Sequence, residues 1–109
     1  AAVALVAGQG PGRDGSSVVT VQRWIHDFAA IDTMSVAQME SCVGRSLADD
    51  VELESAPISA HVKRAAQESF DPEAFLVRRS MPWRDQVHAG LCFIAFAASI
   101  EPFVAIARR

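Results

Sequence analysis

The sequence predicts an α+β fold, an antiparallel sheet with packed helices, in the ferredoxin-like order of split βαβ units but one strand short of completing it. Three observations predict it. Val18 to Ile25 (VVTVQRWI) is rich in β-branched residues, the mark of a strand. Leu91 to Ala98 (LCFIAFAA) is continuously apolar, as a buried strand is. Between them, Ser35 and Gln38 stand at capping-box spacing, and Val36, Met39 and Val43 recur at helical intervals.

Ala2 to Ala7 suits a short buried strand. Gly8 to Ser17 (GQGPGRDGSS) holds four glycines and a proline in ten residues, which no regular element tolerates, so it is a loop. In the strand that follows, Val19, Val21 and Arg23 share one face, and Val18, Thr20, Gln22 and Trp24 the other. Asp27 to Thr33 suits a short helical turn. The helix that starts after Ser35 buries one stripe and ends at Gly44. Residues 45–61 read as irregular, and the acidic run Asp49 to Glu54 (DDVELE) as a solvated loop. Ala74 to Met81 reads as a strand that Pro82 stops. Gly90 opens the next strand, apolar on both faces and therefore central and covered on two sides. Pro102 fits the first turn of a closing helix, Glu101 to Arg109, with Phe103 and Ile106 on one face.

The 109 residues fit a single domain spanning 1–109, able to bury roughly two thirds of its unfolded surface. Half of the residues are apolar and 21% are charged, a globular composition. With 13 acids against 10 bases and a net charge of −3, the chain is not a nucleic-acid binder. No apolar run approaches the roughly 20 residues that cross a bilayer, so no membrane partner is expected. Cys42 and Cys92 are far apart in apolar surroundings; they read as small buried residues in a reducing, cytoplasmic setting rather than a disulfide or zinc motif. A start on Ala1 and a finish on Arg108-Arg109 without a stop signal suggest a piece of a longer protein.

The chain has no phosphate loop, Rossmann glycine pattern, His-Glu-x-x-His or Gly-x-Ser-x-Gly. Of its three histidines, His26 reads as packed or capping and His88 as an exposed turn residue. His61 follows a loop and adjoins Val62. Its commonest role would be structural, and its alternative a ligand or acid–base group. A single histidine fits poorly with zinc, which takes three or four protein ligands, and well with haem, where the porphyrin supplies four nitrogens. Arg78 and Arg79, adjacent on a strand, point to opposite faces. Either both heads reach water from an edge strand, or one is aimed at an anion or a polarised oxygen. Trp83, Phe75, Phe93, Phe96 and Met81 serve a core or a cofactor pocket equally well.

Five segments in order resemble the C-terminal half of the dye-decolourising (DyP-type) haem peroxidases. They are residues 14–27 (DGSSVVTVQRWIHD), Gly44-Arg45-Ser46 with 49–53 (DDVEL), 59–62 (SAHV), 77–82 (VRRSMP) and 90–96 (GLCFIAF). The resemblance implies a dimeric α+β barrel type of fold, haem b as cofactor, hydrogen peroxide and a reducing substrate as reactants, and a homo-oligomer. It places His61 at the proximal iron ligand and Arg78 at the distal arginine. It also places Ser80 in the distal hydrogen-bond network and Arg45 beside a haem propionate. A guanidinium in a water-poor pocket stabilises the negative charge that develops as the O–O bond breaks. Surface Trp24 or Trp83 could relay electrons from a bulky dye. The chain departs from the family in lacking the upstream Gly-x-x-Asp-Gly motif, so Asp14 takes no catalytic role. It also lacks the carboxylate that orients the proximal histidine. Two competing readings are a non-catalytic ferredoxin-like remnant that oligomerises through open sheet edges, and a small-anion sensor using Arg78 in an apolar cleft.

Overall fold

The computed structural model describes residues 4–109. The elements run β1 (Val18–Ile25), α1 (Phe28–Asp32), α2 (Val36–Val43), α3 (His61–Arg64), β2 (Val77–Arg78), β3 (Met81–Arg84), β4 (Ala89–Ala97) and α4 (Glu101–Arg108). A 3-10 turn at Gln67–Ser69 lies between α3 and β2. They form two compact units: one comprises the residues up to His26 together with Gln67–Arg109, the other Asp27–Ala66. Among the described residues, no helix is long and apolar enough to cross a membrane.

The first unit is an antiparallel sheet centred on β4. β1 pairs with it along its whole length, from Val18 opposite Ala97 to Ile25 opposite Gly90. On the other side β2 and β3 share a single register, from Val77 opposite Phe96 to Arg84 opposite Ala89. Antiparallel partners share a face. One face therefore carries Phe93, Ala95, Ala97, Thr20 and Arg78, and the other Ile94, Phe96, Cys92, Val19, Val21 and Met81. The predicted helix at 101–109 forms as α4, with Pro102 in its first turn. Its Phe103 and Ile106 pack on Phe93, Ala95, Ala97 and Leu76. Full burial of such side chains contributes about 1.5–3 kcal/mol each, and these are half-buried, so about 1 kcal/mol apiece is the scale.

Three expectations for this unit need correction. The strand expected over 74–81 begins only at Val77, and it resumes through Pro82 to Arg84 instead of stopping there. The Arg79 amide donates to the Ile94 carbonyl at 2.8 Å. The alternation of the antiparallel ladder then aims position 82 away from β4, where a missing N–H costs nothing. β4 is central, but among the described residues of this unit α4 packs on one of its faces alone. On the opposite face Val19, Val21 and Met81 remain 49%, 63% and 53% exposed, because α4 packs on the side of Phe93. Of the strand expected at 2–7, the first two residues lie outside the described region and residues 4–7 form none. Val6 instead closes the glycine-rich loop, donating to the Ser16 carbonyl at 2.9 Å and accepting from the Gly15 amide at 2.9 Å.

The second unit is built from local bonds. Asp27 caps α1, its carboxylate accepting from the Ala30 amide at 3.0 Å. Ser35 and Gln38 form the predicted reciprocal box on α2, at 2.8 and 3.2 Å. Gly44 ends α2 in the left-handed region at φ 89°. The stripe expected to be buried is only partly so: Met39 and Val43 are half-buried and Val36 is 58% exposed. Residues 45–60 are irregular as expected, apart from one antiparallel bridge between Arg45 and Glu52, and His61 instead opens α3. The chain then returns to the end of α2. Ala60 is fully buried beneath Gly44, and a Cβ on Gly44 would overlap the Val62 side chain.

Candidate functional site

His61 and Arg45 belong to the Asp27–Ala66 unit, Arg78 and Ser80 to the sheet unit. His61 is the first residue of α3, a single turn that the Ala60 and His61 carbonyls hold through the amides of Lys63, Arg64 and Ala65. His61 directly follows the irregular stretch, and the helix fixes its backbone. Its side chain is exposed, and its Nε2 lies 3.6 Å from the Sγ of Cys42 on α2. No carboxylate pairs with it among the described residues. Cys42 corrects an expectation: it is exposed rather than buried, because it sits beside the half-buried stripe of α2 and not within it. Cys92 on β4 is half-buried.

Arg45 turns its guanidinium into its own loop, donating to the Asp50 carbonyl at 2.7 Å and lying 3.8 Å from the Asp50 carboxylate. A guanidinium has five N–H donors, so this loop contact leaves others for a second anion. The acidic run is exposed, as expected. The Ser46 hydroxyl and the Val51 amide hold the Asp49 carboxyl below the usual carboxylate range, which marks a structured turn rather than a reactive acid.

Arg78 and Ser80 stand two residues apart on the face of the sheet that carries Phe93 and Ala95. Both are exposed, Arg78 on the edge strand β2 and Ser80 in the gap before β3, so the guanidinium incurs no cost of an unpaired buried charge. The Ser80 hydroxyl accepts from the Ile94 amide at 3.4 Å, bridging the gap between β2 and β3. Arg79 points the other way and, with Val77 and Phe96, rims a shallow cleft. Arg78 is not among the residues that line this cleft. Gln67 positions this strand: its side-chain amide grips Leu76 at both ends, accepting from the amide at 3.1 Å and donating to the carbonyl at 3.2 Å. No spacing rule could have singled out Gln67 or Cys42, whose partners lie 9 and 19 residues away.

Trp83 is half-buried, donates from Nε1 to the Trp24 carbonyl at 3.1 Å, and carries the Arg23 guanidinium 4.7 Å above its ring. Trp24 is exposed, with its Nε1 on Gln22 at 3.1 Å. Among the described residues, no three His, Cys, Asp or Glu side chains converge as a metal cluster. A haem needs only one protein nitrogen, and the exposed His61 imidazole fits that requirement.

The family profile described as Dyp-type peroxidase, C-terminal, matches residues 1–109. The dye-decolorizing peroxidase of Mycobacterium tuberculosis is 35% identical over 72 residues, 63% of this chain and 22% of that protein. That of Mycolicibacterium paratuberculosis is 30% identical over 97 residues, 84% of this chain and 27% of that protein. Among solved structures, a variant of DypB from Rhodococcus jostii RHA1 in complex with heme superposes with a TM-score of 0.86 at 28% identity, covering 97% of this chain and 36% of that one. A dyp-type peroxidase protein from Shewanella oneidensis gives 0.86 at 28%, covering 96% and 35%. The chain thus spans between about a fifth and about a third of the relatives it matches. Its antiparallel sheet with four helices is the ferredoxin-like α+β fold of their C-terminal portion. The chain belongs to the Dyp-type peroxidase family and carries that family's C-terminal domain.

Proposed function

We propose that the chain is the haem-bearing portion of a haem b peroxidase that uses hydrogen peroxide to oxidise dyes or other electron donors. The observation that carries the reading is the His61 imidazole, exposed and free of any carboxylate partner among the described residues. Family membership supports it, as does the DypB relative in complex with heme. When bound, haem supplies an iron with four porphyrin nitrogens and an open position for peroxide. His61 would ligate the iron through its imidazole. The Arg78 guanidinium would stabilise the negative charge on the departing oxygen. The Ser80 hydroxyl, already accepting from Ile94, would keep its own proton to donate. Arg45 would hold a propionate with the donors its loop leaves free. Trp24 would take electrons from donors too large to enter, and Cys42 and Cys92 would stay reduced in the cytoplasm.

Haemin titration tests the reading. A histidine-ligated Soret band should form and be lost in His61→Ala. Arg78→Leu should keep the band while peroxide turnover falls about 10²- to 10³-fold. A band indifferent to His61→Ala would sink the assignment. The open face of Val19, Val21 and Met81 favours a second reading, a ferredoxin-like module that associates with a second copy. It predicts a haem-independent oligomer by sedimentation.

A further inference from the structure

We propose that the Arg23 guanidinium decides which indole of this chain gives up an electron: Trp24 does, and Trp83 does not. The chain has two tryptophans and no tyrosine, so these two side chains are its candidate aromatic electron carriers. Their positions in the sequence do not rank them; the fold does. The Arg23 guanidinium lies 4.7 Å from the centroid of the Trp83 ring. A cation over a neutral indole is attracted to the negative face of its π system. Loss of one electron makes the ring positive, and the attraction becomes repulsion between like charges. Among the described residues, no carboxylate lies within ion-pair distance of Arg23 to cancel its charge. Asp85 feels that charge, yet its carboxylate is held by the Val87 and His88 amides.

The register explains the contact. Trp83 stands opposite Gly90 and Arg23 opposite Cys92, so both project from the face of the sheet that carries Val21 and Met81. Gly90 has no side chain, which leaves the Trp83 ring room to reach across β4 and donate from Nε1 to the Trp24 carbonyl at 3.1 Å. An amide carbonyl is too weak a base to keep that proton if Trp83 is oxidised. Trp24 differs on each count. It stands opposite Leu91, on the face of Arg78. It is 53% exposed, and among the described residues no guanidinium stacks on its ring. Water can therefore take its Nε1 proton once an electron leaves. The role of this electron loss rests on the haem reading above and deepens it. Reducing one peroxide to two waters consumes two electrons and two protons. Trp24 would supply each electron in turn, shed its Nε1 proton to solvent, and be restored by one electron and one proton from the donor. The choice between the indoles does not depend on haem.

Flash oxidation of the haem-free chain by photogenerated tris(bipyridine)ruthenium(III), a one-electron oxidant, tests the inference through the transient absorption of the indole radical. Trp24→Phe should lower the radical yield about tenfold, and Trp83→Phe should leave it near that of the parent chain. In the Trp24→Phe chain, Arg23→Gln should raise the yield about tenfold, now at Trp83. Arg23→Lys keeps a cation over the ring and should not raise it. Far-UV circular dichroism confirms that each variant folds, with Arg23→Met as a second neutral variant. Equal losses in Trp24→Phe and Trp83→Phe overturn the inference. So does a yield that neither neutral residue at position 23 raises, or one that Arg23→Lys raises as far as Arg23→Gln. The haemin titration separates the two claims. A Trp24-dependent radical in a chain whose Soret band ignores His61 sustains this inference and sinks the haem reading. A His61-dependent band beside any of the overturning radical results does the reverse.

Discussion

The sheet unit and the Asp27–Ala66 unit are held together by different means. In the sheet unit the partners lie far apart in sequence: β1 meets β4 across more than sixty residues, and the core is the α4 side of the sheet. Asp27–Ala66 relies on neighbours: two capped helices, a loop folded on itself, and a glycine wedged against the start of α3. Neither unit buries a large side chain completely among the described residues. The contrast teaches that a long-range ladder can present Arg78 and Ser80 on one face, whereas local backbone bonds and a wedged glycine can hold His61 at a helix start. Both tryptophans belong to the sheet unit, so their fluorescence reports that unit, while amide resonances of Ala60 and His61 report the other.

The largest effect is expected at Gly90. A Cβ there would drive into the Trp24 carbonyl, which is backbone and cannot step aside. Gly90→Ala should cost about 3–5 kcal/mol in denaturant unfolding followed by tryptophan fluorescence. Gly44→Ala, the counterpart in the local unit, combines a left-handed backbone with an overlap on a side chain that can partly yield. It should cost about 2–3 kcal/mol, seen as broadening or loss of the Ala60 and His61 amide signals. Equal damage from both glycines would remove the distinction between ladder and wedge.

Gln67→Ala sharpens the comparison within the sheet unit. It removes two part-buried hydrogen bonds to Leu76 and should cost about 1–2 kcal/mol, with Arg78 losing its fixed approach to β4. Hydrogen exchange at Leu76 and Arg79 would show it. The smallest effect is acid sensitivity, which both units share. The His88 and Val87 amides hold the Asp85 carboxyl below its ordinary range, and the Ser46 hydroxyl and Val51 amide do the same for Asp49. A depressed carboxylate contributes stability above the unfolded value, and that contribution is lost as the pH falls below about 4. Asp85→Asn should therefore flatten the acid limb of the fluorescence-detected curve, and Asp49→Asn the limb read from the other unit's amides.

Much of this was legible because it is local. The capping box at Ser35 and Gln38, the stop at Gly44, the glycine loop and the Pro102 helix each depend on residues within one or two turns. The Pro82 error shows the limit. A proline reads as a strand stop until one knows that it sits on an edge, facing away from its partner. Which face of β4 the helix α4 would cover was equally hidden, because apolar residues on both sides do not say where that helix will lie.

The sequence by itself determined the α+β class, the central strand, the caps, and the segments that tie the chain to the Dyp-type peroxidases, since these follow from periodicity, backbone preference and short motifs. The tertiary structure alone decided that Cys42 meets His61, that Gln67 grips Leu76, and that Val19, Val21 and Met81 stay exposed. Contacts between residues distant along the chain follow from how whole elements pack, and no spacing rule encodes that packing.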